Sequence, residues 1–288
     1  MVSTTTTVPV AAPVRDVRPR RSGRLPAFAT LSGRRFALSA RTPREILVPL
    51  LTPVLFALII APALAKTVAN PVGGIDYMTY VAIATVGLLV PLSCMFAGIG
   101  VIVDRESGAR RELLAAPVPR ALMVGGNFVV ALTVSTLQLG ALMVAALARG
   151  ANFDTNASGV AWFVAAAYLF AVASYGIAET MANRIPTQEE YVGATPAIAI
   201  LPWFLAGSLF PIHALPSWLA AVAKVLPLTH ALALMRYGLL DRHATGLHDI
   251  WGMSNITMMA TLSLAVVAVW AAAFAALATR VFTKTAVG

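Results

Sequence analysis

The sequence predicts an all-α integral membrane protein with six transmembrane helices, and three observations predict it. Of its 288 residues, 59% are hydrophobic and only 11% are charged, whereas a soluble domain carries roughly a quarter charged residues. Six charge-free runs divide the chain, at 46–65, 77–103, 121–148, 155–178, 191–223 and 250–279, and each can cross a hydrocarbon core about 30 Å thick. The run from Val129 to Ala148 shows none of the apolar–polar alternation of a barrel strand, so the backbone satisfies itself inside lipid as a helix. This composition excludes an ordinary water-soluble enzyme.

Residues 1–26 carry Thr, Pro and Arg but no apolar stretch of signal-peptide length, and read as a disordered basic cytoplasmic arm. The arm either rests on anionic headgroups or is simply solvated. Residues 27–45 mix Phe28, Leu31, Phe36 and Leu38 with Arg34, Arg35, Arg41 and Arg44, the pattern of a short helix lying in the interface. A six-span domain follows over 46–282, then a cytoplasmic tail over 283–288. The single cysteine, Cys94, sits in span two, which leaves no intrachain disulfide, zinc site or iron–sulfur cluster to argue for.

Between spans two and three, residues 104–120 read DRESGARRELLAAPVPR, with seven charges, two leucines and a Pro-Val-Pro stop. A short amphipathic helix there presents Arg111 and Glu112 beside Leu113 and Leu114 and can dock in a groove. Any cytoplasmic turn is charged, but a simple turn between spans needs only a few residues.

Gln138, central in span three, either glues neighbouring helices or meets a substrate, and the same two readings apply to Asn127, Ser135 and Ser93. Ser93, Gln138 and Thr195 are the polar candidates for lining a substrate path. Gly98, Gly100, Gly125 and Gly126 suit close helix contact. Glu179 is expected to end span four near the inner surface, where it pairs with Arg184 or reaches water; a proton relay is the alternative.

The run 191–223 is too long for one helix. Span five is placed at about 191–210, kinked by Pro196 and Pro202. Leu215–Ala223 and Leu228–Leu240 are too short to cross and are punctuated by Pro211, Pro216 and Pro227, as in two outer re-entrant half-helices. Trp203, Trp218 and Tyr237 suit the headgroup boundary. His213, His230, His243 and His248 lie nearby with Asp241 and Asp249, but their spacing matches no metal signature, and His230 is read as packing inside the half-helix pair. No nucleophile elbow supports a hydrolase.

Orientation follows from Lys and Arg. With the N-terminus inside, the inner side holds all but Lys66, Arg149, Lys224, Arg236 and Arg242 of the 21, which makes both termini cytoplasmic. The net charge of +9 thus reports membrane orientation, and nothing suggests nucleic acid as a partner.

Two ordered strings resemble the permease subunit of type-2 ABC exporters, the family of daunorubicin-resistance-type drug permeases and polysaccharide exporters. Asp104, Arg105, Glu106, Gly108 and Glu112 follow the family's E-R-x-x-G-T-x-E-x-L loop, with Asp104 for the leading Glu and Ala109 for the Thr. Gly207, Phe210, Pro211, Leu215, Pro216, Trp218, Pro227, Leu228, Thr229, His230 and Arg236 follow its G-x-x-F-P … L-P-x-W … P-L-T-H … R pattern. The resemblance implies a coupling helix at about 104–118, where Asp104, Arg105, Glu106, Gly108, Arg111, Glu112, Leu113, Leu114 and Pro117 meet a separate ATPase subunit. No lysine follows a glycine, so the phosphate loop is absent; no cofactor is assigned to this chain, and ATP and Mg belong to the partner. It further implies two ATPase copies, a second permease copy of this or a sister chain, and contact of the 27–45 helix with the ATPase.

The expected function is therefore that of a non-catalytic permease moving a hydrophobic or amphipathic compound, drug-like or lipid-like, out across a bacterial cytoplasmic (inner) membrane. The alternatives are a polysaccharide or glycolipid exporter and a proton-driven secondary transporter, the latter poorly served by six runs without ionisable groups.

Overall fold

The computed structural model describes residues 24–41, 77–115, 118–148, 155–240 and 243–285, with scattered positions between 47 and 63 and Phe153. The basic arm up to residue 23, most of the first charge-free run and residues 286–288 lie outside the described residues. The described elements are all helical: α1 (Arg24–Arg41), α2 (Tyr77–Glu106), α3 (Ala109–Ala115), α4 (Arg120–Ala148), α5 (Ala157–Ala182), α6 (Gln188–Leu205), α7 (Ser217–Ala223), α8 (Pro227–Leu239), α9 (Thr245–Trp251) and α10 (Ile256–Thr285).

Local chemistry sets several of these boundaries. Asn156 caps α5 by accepting from the Gly159 amide, and Thr187 caps α6 by accepting from the Glu190 amide, with Glu189 and Glu190 complementing the positive end of that helix. Pro227 opens α8, where a missing N–H costs nothing. Gly252, at φ 65°, ends α9 in the left-handed conformation that glycine tolerates.

Four helices, α2, α4, α5 and α10, are long and apolar enough to cross a membrane, and α7 with α8 forms a pair bent by 79°. About 78% of the α2 window is buried within the protein, against 28% for α4 and 22% for α10; α2 is therefore a central helix, while α4 and α10 turn most of their surface outward. The other centre is α5, which packs on α10, α8 and α2. It approaches them closely because it carries glycine where they cross. A Cβ on Gly159 would lie 2.1 Å from the Gly238 carbonyl oxygen of α8, and one on Gly176 would lie 2.7 Å from the Phe274 backbone of α10. Small residues at crossings are how helices gain packing in lipid.

The two ends of the bundle are chemically distinct. At one end, α1 and α3 gather with the C-termini of α2, α5 and α10, joined by Arg34–Asp104, Arg105–Ala182 and Arg110–Thr285 contacts. At the other, the start of α2 meets the α6–α7 turn and the end of α8 through Tyr80, Gly207 and Arg236.

Several boundaries differ from expectation. Span five stops at Leu205, because Gly207 takes φ 78° and the Ala206 amide closes on Pro202. The last run divides into α9 and a helix that begins at Ile256 and continues to Thr285, past the expected tail boundary at 283. Asp104, Arg105 and Glu106 belong to the end of α2, so the short helix after them starts only at Ala109. Trp203 faces the protein rather than its surroundings: it is 1% exposed and donates from Nε1 to the Ala84 carbonyl at 2.7 Å.

Candidate functional site

At the basic end, seven of the nine residues expected to couple separate into an inward and an outward set. Asp104 accepts from Arg34 at 3.1 Å and lies 3.8 Å from Arg35. Arg35 also donates to the Ala97 carbonyl at 3.2 Å. Arg105 turns inward, donating to the carbonyls of Ala182, Ile185 and Pro186 at 2.8–2.9 Å, and so ties the end of α2 to the turn between α5 and α6. Leu113 and Leu114 pack partly buried against the core. Glu106, Arg111 and Glu112 remain exposed. Pro117 lies outside the described residues.

The turn that separates the two sets needs Gly108. At φ 78° with nothing within 4 Å of a would-be Cβ, the position is restricted by backbone conformation rather than by space. The Gly108 carbonyl then accepts from the Arg111 amide at 2.9 Å, starting α3. From beneath, Arg110 braces α3: it donates to Thr285 Oγ1 at 2.8 Å and lies 4.8 Å over the Phe282 ring. Burial pulls its guanidinium below the usual arginine value, opposed by the Glu179 carboxylate and reinforced by Arg105. Sequence reasoning passed over Arg110, whose only distinguishing mark was its place one turn before Leu113 and Leu114.

Glu179 departs in part from expectation. It lies in the last turn of α5, as expected, but it is fully buried. Tyr175 donates to Oε2 at 2.7 Å, and Asn183 donates to Oε1 at 3.0 Å. Arg184 is exposed and forms no bridge to it; the positive charges acting on it are those of Arg110 and Arg35. A helix running on to Ala182 puts i and i+4 partners around the carboxylate.

At the other end, Arg236 donates to the carbonyls of Gly207 and Ser208 at 2.8 and 3.1 Å and lies 3.5 Å over the Tyr80 ring. Tyr80 donates to the same Gly207 carbonyl at 2.8 Å. Pro211, Pro216 and Pro227 stand where a short helical segment begins. Phe210 and Trp218 are exposed, at 46% and 68%. His230 is buried, with Nε2 2.9 Å from the Lys224 carbonyl and Nδ1 3.2 Å from Ser263 Oγ, to which Trp251 also donates. Thr229 is buried beside it. Tyr80, Ser263 and Trp251 complete this cap without any motif to announce them.

His213 meets Asp249 at 2.9 Å, and among the described residues no three His, Cys, Asp or Glu side chains gather where a metal could sit; Asp241 lies outside them. Of the proposed path residues, Ser93 donates to Gln138 within the α2–α4 contact, and Thr195 donates to the Tyr191 carbonyl of its own helix at 3.1 Å. Gly98 and Gly100 admit side chains of Tyr191 and Arg35, whereas Gly125 and Gly126 face Phe28 and Leu31 of α1.

The first of these two ends thus sets the exposed Glu106, Arg111 and Glu112 on a base tied inward by Asp104, Arg105 and Arg110. A family model described as ABC-2 type transporter matches residues 26–240. No curated protein matches the chain.

Proposed function

The chain belongs to the ABC-2 type transporter family, as a transmembrane subunit that works with an ABC ATPase, and from that premise we propose that it is the permease half of a drug-type exporter. In this reading it spans the membrane six times with both termini in the cytoplasm of a bacterium. Two copies assemble with two ATPase subunits and carry a hydrophobic or amphipathic compound outward.

One observation supports the coupling role above others: Glu106, Arg111 and Glu112 are exposed at the bundle end while their neighbours Asp104, Arg105 and Arg110 are tied inward. A protruding charged helix on a braced base transmits force without deforming. ATP and Mg bind the ATPase; its closure presses on α3, and Arg105 passes the displacement to the α5–α6 turn. The energy is the difference in nucleotide affinity between two packings of the spans.

Co-purification and efflux test this. Glu106→Ala and Glu112→Arg are expected to preserve folding but to lower the yield of ATPase subunit retained on the permease and the rate of ATP-dependent efflux. Full assembly and efflux in both variants would remove the coupling assignment.

A further inference from the structure

Away from both ends, a cavity of about 640 Å³ opens among α2, α5, α6, α10 and the tip of the α7–α8 pair. Pro91 of α2 is part of its wall, fourteen residues from Tyr77 and thus about 21 Å along the helix, so the cavity lies at mid-span depth. Pro202, Val225, Trp270 and Phe274 are other parts of the wall. Its rim is apolar and open, with Val222 45% and Val225 61% exposed, so a molecule reaches it from hydrocarbon rather than from water. The size is that of sites for drug-sized molecules, which pair an apolar lining with a few placed polar groups.

Here the side-chain acceptor is one hydroxyl; the indole N–H of Trp270, also in the wall, can only donate. Among the described residues of the lining, Ser174 is the only one whose side chain carries an oxygen. It is 5% exposed and has no hydrogen-bond partner among the described residues. Helical serines and threonines ordinarily bond the carbonyl one turn back, as Thr180 does to Gly176 at 2.7 Å in the same helix. Ser174 does not. The residue lines the open cavity, so a molecule that enters there can bond its hydroxyl. Pro202 adds a second polar feature, because it has no N–H to offer the carbonyl of Ile198, another residue of the wall.

We propose that this cavity is a binding site within a single permease copy for a neutral amphiphile, a hydrocarbon body with one hydroxyl or carbonyl group, anchored by Ser174. It rests on the exporter reading in taking that amphiphile to be cargo drawn from the bilayer. A phospholipid acyl chain brings no hydroxyl or carbonyl to mid-span depth to bond Ser174, so the occupant is a solute dissolved in the membrane rather than a phospholipid.

The full chain in nanodiscs is irradiated with a long-chain alcohol bearing a diazirine in its tail, and the labelled peptides are mapped by mass spectrometry. Cavity peptides from α5, α6 and the α7–α8 tip are expected to carry most of the label. Ser174→Ala is expected to lower the labelling about fivefold, the worth of one neutral hydrogen bond, and to leave labelling by the matching alkane unchanged. Ala197→Trp, an exposed rim residue, is expected to block both probes. Label spread evenly over outward faces of α4 and α10, an alcohol signal indifferent to Ser174→Ala, or equal labelling by a phosphatidylcholine with a diazirine acyl chain would overturn the proposal. Because no ATPase is present, the result stands apart from whether the chain couples to one.

Discussion

The guanidinium of Arg35 fills the space that a side chain on Gly100 would need: a Cβ there would lie 1.2 Å from Arg35 Nη2. From this slot Arg35 reaches the Ala97 carbonyl and Asp104, so α1 is pinned to the end of α2 by one buried arginine. Gly100→Ala is expected to expel Arg35 and to destabilise the protein by about 1–3 kcal/mol, the range for overpacking a filled site. Gly33→Ala, on α1 with nothing within 4 Å, is the control and is expected to be neutral or slightly stabilising. Melting temperatures in one detergent compare the two.

Asp104 accepts the charge of both Arg34 and Arg35, whereas Glu106, two residues on, is exposed. Asp104→Ala leaves the buried Arg35 without its carboxylate and is expected to cost about 2 kcal/mol. Glu106→Ala is expected to lie within about 0.5 kcal/mol of the parent protein, as surface changes do. If the two variants melt alike, the division into inward and outward residues is wrong.

How much of this could be read beforehand depends on the range of the interaction. The charge-free runs 77–103, 121–148, 155–178 and 250–279 each led to a helix long and apolar enough to span, because a membrane imposes a one-dimensional rule on composition. The starts of the short helices α7 and α8 were legible through Pro216 and Pro227. What remained hidden is tertiary. No local pattern announces that Gly100 makes room for Arg35 sixty-five positions earlier, or that Gly159 meets Gly238 backbone to backbone. Glu179 stands in the last turn of α5, where the charge pattern places it, but its burial comes from the packing around that turn, which no local pattern announces.

Arg236 binds two carbonyls and a ring at once, which suits a planar guanidinium and not an ammonium. Arg236→Lys is expected to destabilise the cap by about 1–3 kcal/mol, and Tyr80→Phe, which keeps the ring and loses the bond to the Gly207 carbonyl, by about 1 kcal/mol. Protease cleavage between α6 and α7 should accelerate in the first variant more than in the second.

Glu179 is held from both sides by residues four positions away, Tyr175 and Asn183, and the two bonds make unequal demands. A glutamine can still accept from Tyr175 through its carbonyl oxygen. Its amide nitrogen, however, then faces the Asn183 amide, donor against donor, so one of the two bonds is lost. Glu179→Gln is therefore expected to cost about 1 kcal/mol. Glu179→Ala removes both acceptors and opens a void, and is expected to cost about 2–4 kcal/mol. Arg184→Ala, at an exposed position, should leave the melting temperature where it was. A loss in Arg184→Ala matching that of Glu179→Ala would instead restore the ion pair expected from sequence and contradict the buried arrangement.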